Sequence, residues 1–221
     1  LEQNQKDICV GYDGRLSSPH MFNLLSKGLL STGINVVNIG LVTTPMLYFS
    51  THHLNTQSGI MITGSHNPPE YNGFKIVINS KTLSTDDIQA LYKRIIKEEY
   101  LFGKGKMSNS DLKPAYLEKI YSDIKLARPI RVAIDCGNGA ASVCAEELYK
   151  GIGAQVESLF CNIDGNFPNH HPDPSNLKNL VSLQEALLKG ESELGLAFDG
   201  DGDRLGVVTK KGEIIFPDRQ L

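Results

Sequence analysis

The sequence predicts an α/β protein of two tandem three-layer domains, each with a small, mostly parallel sheet of about four strands between helices. Short apolar runs alternate with amphipathic segments, which is the pattern of repeated strand–helix units. The alternation lapses into a polar, glycine-containing stretch at Gly103, Gly105, Ser108, Asn109 and Ser110, then restarts. A length of 221 residues is enough for two domains of ordinary size.

Ile8 to Tyr12 reads as a strand running into the turn Asp13-Gly14. Ser18-Pro19 supplies an N-cap and a first-turn proline for a helix that stops at Gly33. Val36 to Ile39 is a strand, and Thr44-Pro45 opens a second helix by the same device. Gly59 to Thr63 and Phe74 to Ile78 are strands, and Ser84 caps a helix reaching about Glu99. After the polar stretch come a helix to about Ile124, a strand Arg131 to Asp135 and the turn Gly137-Asn138-Gly139. A helix over Ala141 to Gly151 and a strand to Phe160 follow. Asp164 to Ser175, with its prolines and adjacent histidines, is an irregular loop. A helix covers Leu177 to Lys189, and strands Leu194 to Phe198 and Leu205 to Thr209 flank an acidic turn. Lys210-Lys211-Gly212 makes a hairpin, and Ile214 begins a further segment. The resulting domains are 1–110, 111–213 and, from 214 to 221, the beginning of a third.

Apolar residues at 40% and charged residues at 21% exclude a disordered chain. A net charge of −3 leaves no global basic field for nucleic acid, although a local basic pocket for a small anion remains possible. No apolar run approaches the roughly 18 residues of a membrane span, and no signal peptide is visible. The cysteines Cys9, Cys136, Cys144 and Cys161 form no CxxC pair and read as buried free thiols of a reducing compartment. A cytoplasmic location is therefore expected. The chain starts without methionine and stops in mid-pattern, so both ends look cut.

Asp199-Gly200-Asp201-Gly202-Asp203-Arg204 carries the strongest chemical signal. Three carboxylates on alternate residues would repel one another unless neutralised. The intervening glycines let the backbone curl and turn them inward, and hard oxygen ligands suit Mg²⁺. An EF-hand fails, because its sixth and twelfth positions fall on Arg204 and Lys210 rather than Gly and Glu. A haloacid-dehalogenase-type phosphatase expects Thr or Val where Asp203 stands. A solvated acidic turn would need one Asp-Gly pair, not three carboxylates.

Thr63-Gly64-Ser65-His66-Asn67-Pro68-Pro69 places a serine beside a histidine on a proline-locked loop after a strand, a rigid setting that suits a nucleophile. The G-x-S-x-G elbow is absent because position 67 is Asn. A surface turn rich in Ser, Asn and Pro is the competing reading. Lys75 is either a solvated edge charge or a group that holds an anion or moves a proton. Arg15 is open between a structural ion pair with its turn and an active-site role.

Together these residues resemble the α-D-phosphohexomutase superfamily, and within it the bacterial bifunctional phosphomannomutase/phosphoglucomutase group. The likeness covers essentially the whole chain. It runs through Gly11 to Ser17, Thr63 to Pro69, Tyr71-Asn72-Gly73-Phe74-Lys75, Asp135 to Gly139, Asp164 to Pro172 and the Asp199 to Arg204 turn. The resemblance implies that Ser65 is the phosphorylated residue. It also implies that Asp199, Asp201 and Asp203 hold Mg²⁺ with an oxygen of phosphorylated Ser65. Arg204 would orient the phosphoserine, while His66 and Lys75 assist proton transfer and stabilise phosphoryl charge. The implied activity is reversible transfer of a phosphoryl group between C6 and C1 of mannose and glucose phosphates, with hexose phosphate and hexose 1,6-bisphosphate as partners. Phosphoglucosamine mutase, a metal-dependent phosphatase and a non-catalytic phosphosugar-binding fragment are the alternatives. Family members have four domains, and this chain matches the first two. The family's Y-D-x-R-G segment, its third-domain sugar loop and its fourth-domain phosphate loop have no counterpart here. Gly11 to Arg15 is not that segment, so no catalytic role passes to Arg15. Almost no mutase turnover is expected of this chain alone.

Overall fold

Alternation with a period of two builds both sheets. In the first strand, β1 (Asp7–Tyr12), Ile8 and Val10 join one buried cluster while Cys9 joins another, on the opposite face. The computed structural model describes residues 6–220. Helix α1 (Ser18–Ser31) covers the face carrying Ile8, Val10, Ile60 and Ile62 through Phe22, and α2 (Thr44–His53) covers the other through Met46 and Leu47. Strands β2 (Asn35–Leu41) and β3 (Gly59–Ile62) pair in parallel on either side of β1. Beyond β3 the chain turns back through antiparallel β4 (Phe74–Ile78) and β5 (Lys81–Thr82). Helix α3 (Thr85–Ile96) follows, its first turn closed by a reciprocal capping box between Ser84 and Asp87. The polar stretch expected as a connector contains a strand, β6 (Met107–Asn109), paired in parallel with β2. All three of its residues are exposed, so its edge position gives no apolar pattern to read.

The second sheet repeats this plan. Helix α4 (Lys113–Asp123) leads into β7 (Arg131–Asp135), with β8 (Gln155–Leu159) and β9 (Leu194–Phe198) parallel to it on either side. Antiparallel β10 (Leu205–Thr209) and β11 (Ile214–Ile215) complete it. Helix α5 (Ala145–Gly151) lies on one face and α6 (Val181–Lys189) on the other. The strand orders are β5-β4-β3-β1-β2-β6 and β11-β10-β9-β7-β8. With β7, β8, β9, β10 and β11 standing for β1 to β5, the two orders coincide except for the added β6.

The sheets have six and five strands rather than about four, and beside their parallel strands each carries two antiparallel strands at one edge. A parallel neighbour needs a crossover, whereas the connections after β3 and β9 return directly and leave antiparallel strands. Residues 214–221, expected as the start of a third domain, begin with two residues that pair with β10, because the turn at Lys210–Gly212 folds them back onto it. The helix expected over Ala141 to Gly151 starts with a 3-10 turn, Ala140–Val143, and that expected over Leu177 to Lys189 with another, Leu177–Leu180. The N-cap positions of α1 and α2 fall one residue earlier than expected. Ser17 precedes α1 without a side-chain cap, and Thr43 caps α2 by accepting the Met46 N–H at 3.3 Å. A single buried cluster joins Cys9, Val42, Met46 and Met61 of the first sheet's surroundings to Leu112, Leu117 and Cys144 of the second's.

Candidate functional site: a serine loop on an acidic turn

The loop after β3 and the turn after β9 leave the carboxyl ends of parallel strands, where open α/β sheets place their ligands. They occupy equivalent topological positions, each linking the outermost parallel strand to its antiparallel neighbour. They also meet. The Ser65 hydroxyl donates to Asp199 Oδ2 at 3.1 Å and lies 3.3 Å from His66 Nδ1. Thus the two elements that the sequence singled out, though distant along the chain, form one centre.

A buried polar frame positions the serine. Asp13, at the end of β1, accepts from the Arg15 N–H and the Ser18 hydroxyl with Oδ1, and from Arg15 Nε and the Thr63 hydroxyl with Oδ2. Thr63 Oγ1 in turn accepts the Ser65 N–H at 2.7 Å. Ser65 stands at φ 49°, a left-handed backbone unusual for a side-chain-bearing residue and common at functional turns. Arg15 holds it there. Its four terminal N–H groups donate to the carbonyls of Pro68, Tyr71, Ser65 and Asn67 at 2.6, 3.1, 2.8 and 2.7 Å. With Nε on Asp13 at 3.1 Å, all five donors of the guanidinium are used, and the pair is wholly buried. Of the two readings open for Arg15, the geometry selects the structural one.

The acidic turn is pressed against both neighbours. Gly200 is required by contact: a Cβ there would stand 2.3 Å from the Ser65 carbonyl oxygen. Gly202 is required by conformation, at φ 72°. Asp201 accepts the Thr44 N–H with its main-chain oxygen at 2.9 Å and the Thr44 hydroxyl with Oδ2 at 2.5 Å, so the turn sits on the N-terminus of α2. The Thr44 expected as a helix cap is therefore a partner of the acidic turn. From the far side, Gly200 N–H donates to Pro172 O at 3.1 Å, and the neighbouring His171 Nε2 donates to the His66 carbonyl. His170 is fixed by Asp135 at the end of β7, with Nε2 2.9 Å from Oδ2. Neither Thr44 nor His171 was picked out by sequence as a partner of the site. Thr44-Pro45 looks like a helix start, and His171 lies in a loop without periodicity.

Asp199, Asp201 and Asp203 bring one carboxylate oxygen each within 4.8 Å of one another, and Asp199 and Asp201 are buried. Lys75 spans the last two, donating to Asp201 Oδ2 at 2.6 Å and Asp203 Oδ2 at 2.5 Å. Asp201 Oδ1 is buried without a hydrogen-bond partner. An orphaned oxygen on one of three clustered carboxylates is a donor set that fits a hard divalent cation. Burial and then the charge of Asp201 push Asp199 up to about 7. Burial would raise Asp201 as well, but the hydrogen bonds from Lys75 and Thr44 outweigh it and hold that carboxyl below its usual range. Burial would lower Lys75, and its bonds to Asp201 and Asp203 reverse this, so Lys75 stands as a charged donor. Arg204 donates its main-chain N–H to Asp199 Oδ1 at 3.0 Å. Its side chain is exposed and makes no hydrogen bond or ion pair among the described residues. A hollow of about 590 Å³ between α4 and α5, lined in part by Lys113, Tyr121 and Glu147, includes none of the residues of this centre.

Residues 1–101 match the family model described as phosphoglucomutase/phosphomannomutase alpha/beta/alpha domain I, and residues 114–212 match that of domain II. The chain is 52% identical over 216 residues to a phosphoglucomutase of Neisseria gonorrhoeae, covering 97% of this chain and 47% of that protein. It is 48% identical over 221 residues to a phosphomannomutase/phosphoglucomutase of Pseudomonas aeruginosa, covering 100% and 48%. A solved phosphoglucomutase/phosphomannomutase family protein of Burkholderia thailandensis superposes with a TM-score of 0.96 at 46% identity, over all of this chain and 50% of the other. The chain spans about half the length of the curated relatives it matches. It belongs to the phosphoglucomutase/phosphomannomutase family.

Proposed function

We propose that this chain carries the phosphoserine and metal centre of a phosphohexomutase acting on mannose and glucose phosphates in the cytoplasm. The observation that carries the reading is the Ser65 hydroxyl on Asp199, at the edge of three converging carboxylates. No helix among the described residues is long and apolar enough to cross a membrane. In this reading residues 1–110 are the serine domain and 111–213 the metal domain, with 214–221 leading into a third domain, and a third and a fourth domain would complete the sugar site.

Phosphoryl transfer depends more on placement and charge neutralisation than on covalent groups. O1 of a hexose 6-phosphate attacks the phosphorus on Ser65. The new P–O1 bond forms as the P–Oγ bond breaks, and the proton leaving O1 ends on Oγ. His66, 3.3 Å from Oγ, is placed to hand that proton across. The resulting 1,6-bisphosphate reorients and returns its C6 phosphoryl group to Ser65, leaving hexose 1-phosphate. Asp199, Asp201, Asp203 and a phosphoryl oxygen on Ser65 would hold Mg²⁺, which neutralises phosphoserine charge and makes Oγ a better leaving group. Lys75 supplies a second positive charge from the serine side. Arg204, exposed and unengaged, is free to meet the phosphoryl group. Arg15 keeps Ser65 from drifting between the two transfers.

Charging the protein from labelled glucose 1,6-bisphosphate and then adding glucose 6-phosphate or mannose 6-phosphate tests this single transfer. The label should leave as hexose 1,6-bisphosphate, faster than it leaves to water. Release as inorganic phosphate alone would indicate a phosphatase. Preference for glucosamine 6-phosphate would overturn the assigned sugars, and binding without labelling would leave only a phosphosugar-binding role.

A further inference from the structure

Cys136 and Cys161 take no part in the proposed chemistry, yet their sulfurs are 3.1 Å apart. Cys136 directly follows β7 and Cys161 lies just past β8. These strands are parallel neighbours in register from Arg131↔Gln155 to Asp135↔Leu159. The ladder continues beyond the last pair, with Cys136 N–H donating to Leu159 O at 3.1 Å and Asn138 N–H to Phe160 O at 2.8 Å. Strand neighbours lie about 4.8 Å apart, within the span that a disulfide bridges. Phe160 stands at φ 51°, and Cys161 Sγ beyond it lies 4.0 Å from Ile134 O of β7 and 3.3 Å from Leu159 O of β8.

The two thiols differ in the way a reactive pair should. Cys136 is fully buried, while Cys161 is half-buried. The hydrogen bond with Cys161, and then burial, push the Cys136 thiol far up. The contact with Cys136 outweighs burial and holds Cys161 below the usual thiol range. Cys161, the more exposed of the two, is thus the sulfur that a solvent-borne oxidant meets, with Cys136 behind it. Among the described residues the one group of three metal-binding side chains is the acidic turn, so the pair is not part of a metal cluster.

We infer that Cys161 and Cys136 form a peroxide-responsive dithiol that closes reversibly to a disulfide. The Cys161 thiolate attacks one oxygen of a hydroperoxide, giving a sulfenic acid and releasing hydroxide or alkoxide. The Cys136 sulfur then attacks the sulfenic sulfur, the S–O bond breaks, and water leaves with the Cys136 proton. Two electrons pass from the thiols to the peroxide. Closing the bond brings the sulfurs together by about 1 Å. The nearby turn lies against the metal centre: Gly139 N–H donates to Cys136 O at 2.8 Å, and Ala140 N–H to Gly200 O at 2.9 Å.

The test treats folded, fully reduced protein with a slight excess of hydrogen peroxide, alkylates the remaining thiols after denaturation, and maps the peptides by mass. The expected product has lost two hydrogens and contains a Cys136–Cys161 cross-link, with Cys9 and Cys144 alkylated. A dithiol should reverse it, and oxidation in urea should instead scramble the pairs. In Cys136→Ser a 1,3-dione should trap a sulfenic acid on Cys161. The inference is overturned if the wild-type protein gives sulfinic acid at Cys161 without a cross-link, if the cross-link involves Cys9 or Cys144, or if both sulfurs stay unmodified. The wild-type map decides the matter even if a variant fails to fold.

Discussion

Arg15 and Asp13 show how a buried charge becomes a positioning device. A lone guanidinium in the interior would be costly, but here five donors meet one carboxylate and four loop carbonyls. Arg15→Lys keeps the charge and loses the fork, leaving the loop carbonyls and the buried Asp13 short of donors. It should destabilise the protein by about 3 kcal/mol, measured by urea unfolding; a loss below about 1 kcal/mol would contradict the assignment. The acidic turn makes a prediction of opposite character. The isosteric Asp201→Asn should weaken the thermal stabilisation given by Mg²⁺, whereas equal stabilisation of both proteins would remove Asp201 from the ligand set. Asp199 supplies the pH dependence. Its folded value, about 7, lies above the ordinary carboxylate value near 3.9. The folded state therefore holds a proton that the unfolded chain gives up. In metal-free buffer this contribution is fully present below about pH 4 and lost as pH rises to about 7. Urea unfolding in EDTA should show wild type losing stability relative to Asp199→Asn over that range, and parallel curves would contradict it.

The elements were legible in sequence wherever a face had to be buried. The alternation in β1, the capping box at Ser84 and the strands around the acidic turn are direct consequences of local pattern. Edge β6 was not legible, because a strand with all its side chains in water needs no apolar residues. The acidic turn stood out by its own residues, whereas the serine loop stayed open between a nucleophile and a surface turn until the family resemblance was added. Their frame was not legible. Thr44, Arg15 and His171 act through partners 157, 50 and 105 positions away, and residue type alone does not reveal such partners. Thr43 carries a measurable capping role: Thr43→Ala should cost about 1 kcal/mol, while Ser17→Ala, which removes no cap bond, should cost clearly less in the same thermal assay. Gly200→Ala tests the contact between the loops. Its Cβ would collide with the Ser65 carbonyl, so phosphorylation and Mg²⁺ stabilisation should both fall sharply while circular dichroism stays near wild type. Unimpaired phosphorylation would show that the loops need not touch.

Across the whole molecule, two sheets of like strand order each present one loop, and a shared apolar cluster holds the loops together. In the proposed reading this arrangement splits the chemistry, with the phosphoryl-carrying serine on one sheet and the metal ligands on the other, so the centre exists only while both are folded and docked. Leu112, almost fully buried in that cluster, should be worth about 2–5 kcal/mol by Leu112→Ala. Its loss should weaken Mg²⁺ stabilisation although no ligand is touched. The central claim is that Ser65 is the phosphoryl carrier of this two-sheet centre, and phosphopeptide mapping tests it most directly. After incubation with glucose 1,6-bisphosphate and Mg²⁺, one phosphoryl group should be found on the peptide containing Ser65, and none should appear in Ser65→Ala. A phosphoryl group on Ser17 or any other residue, or undiminished labelling of the variant, would contradict the account.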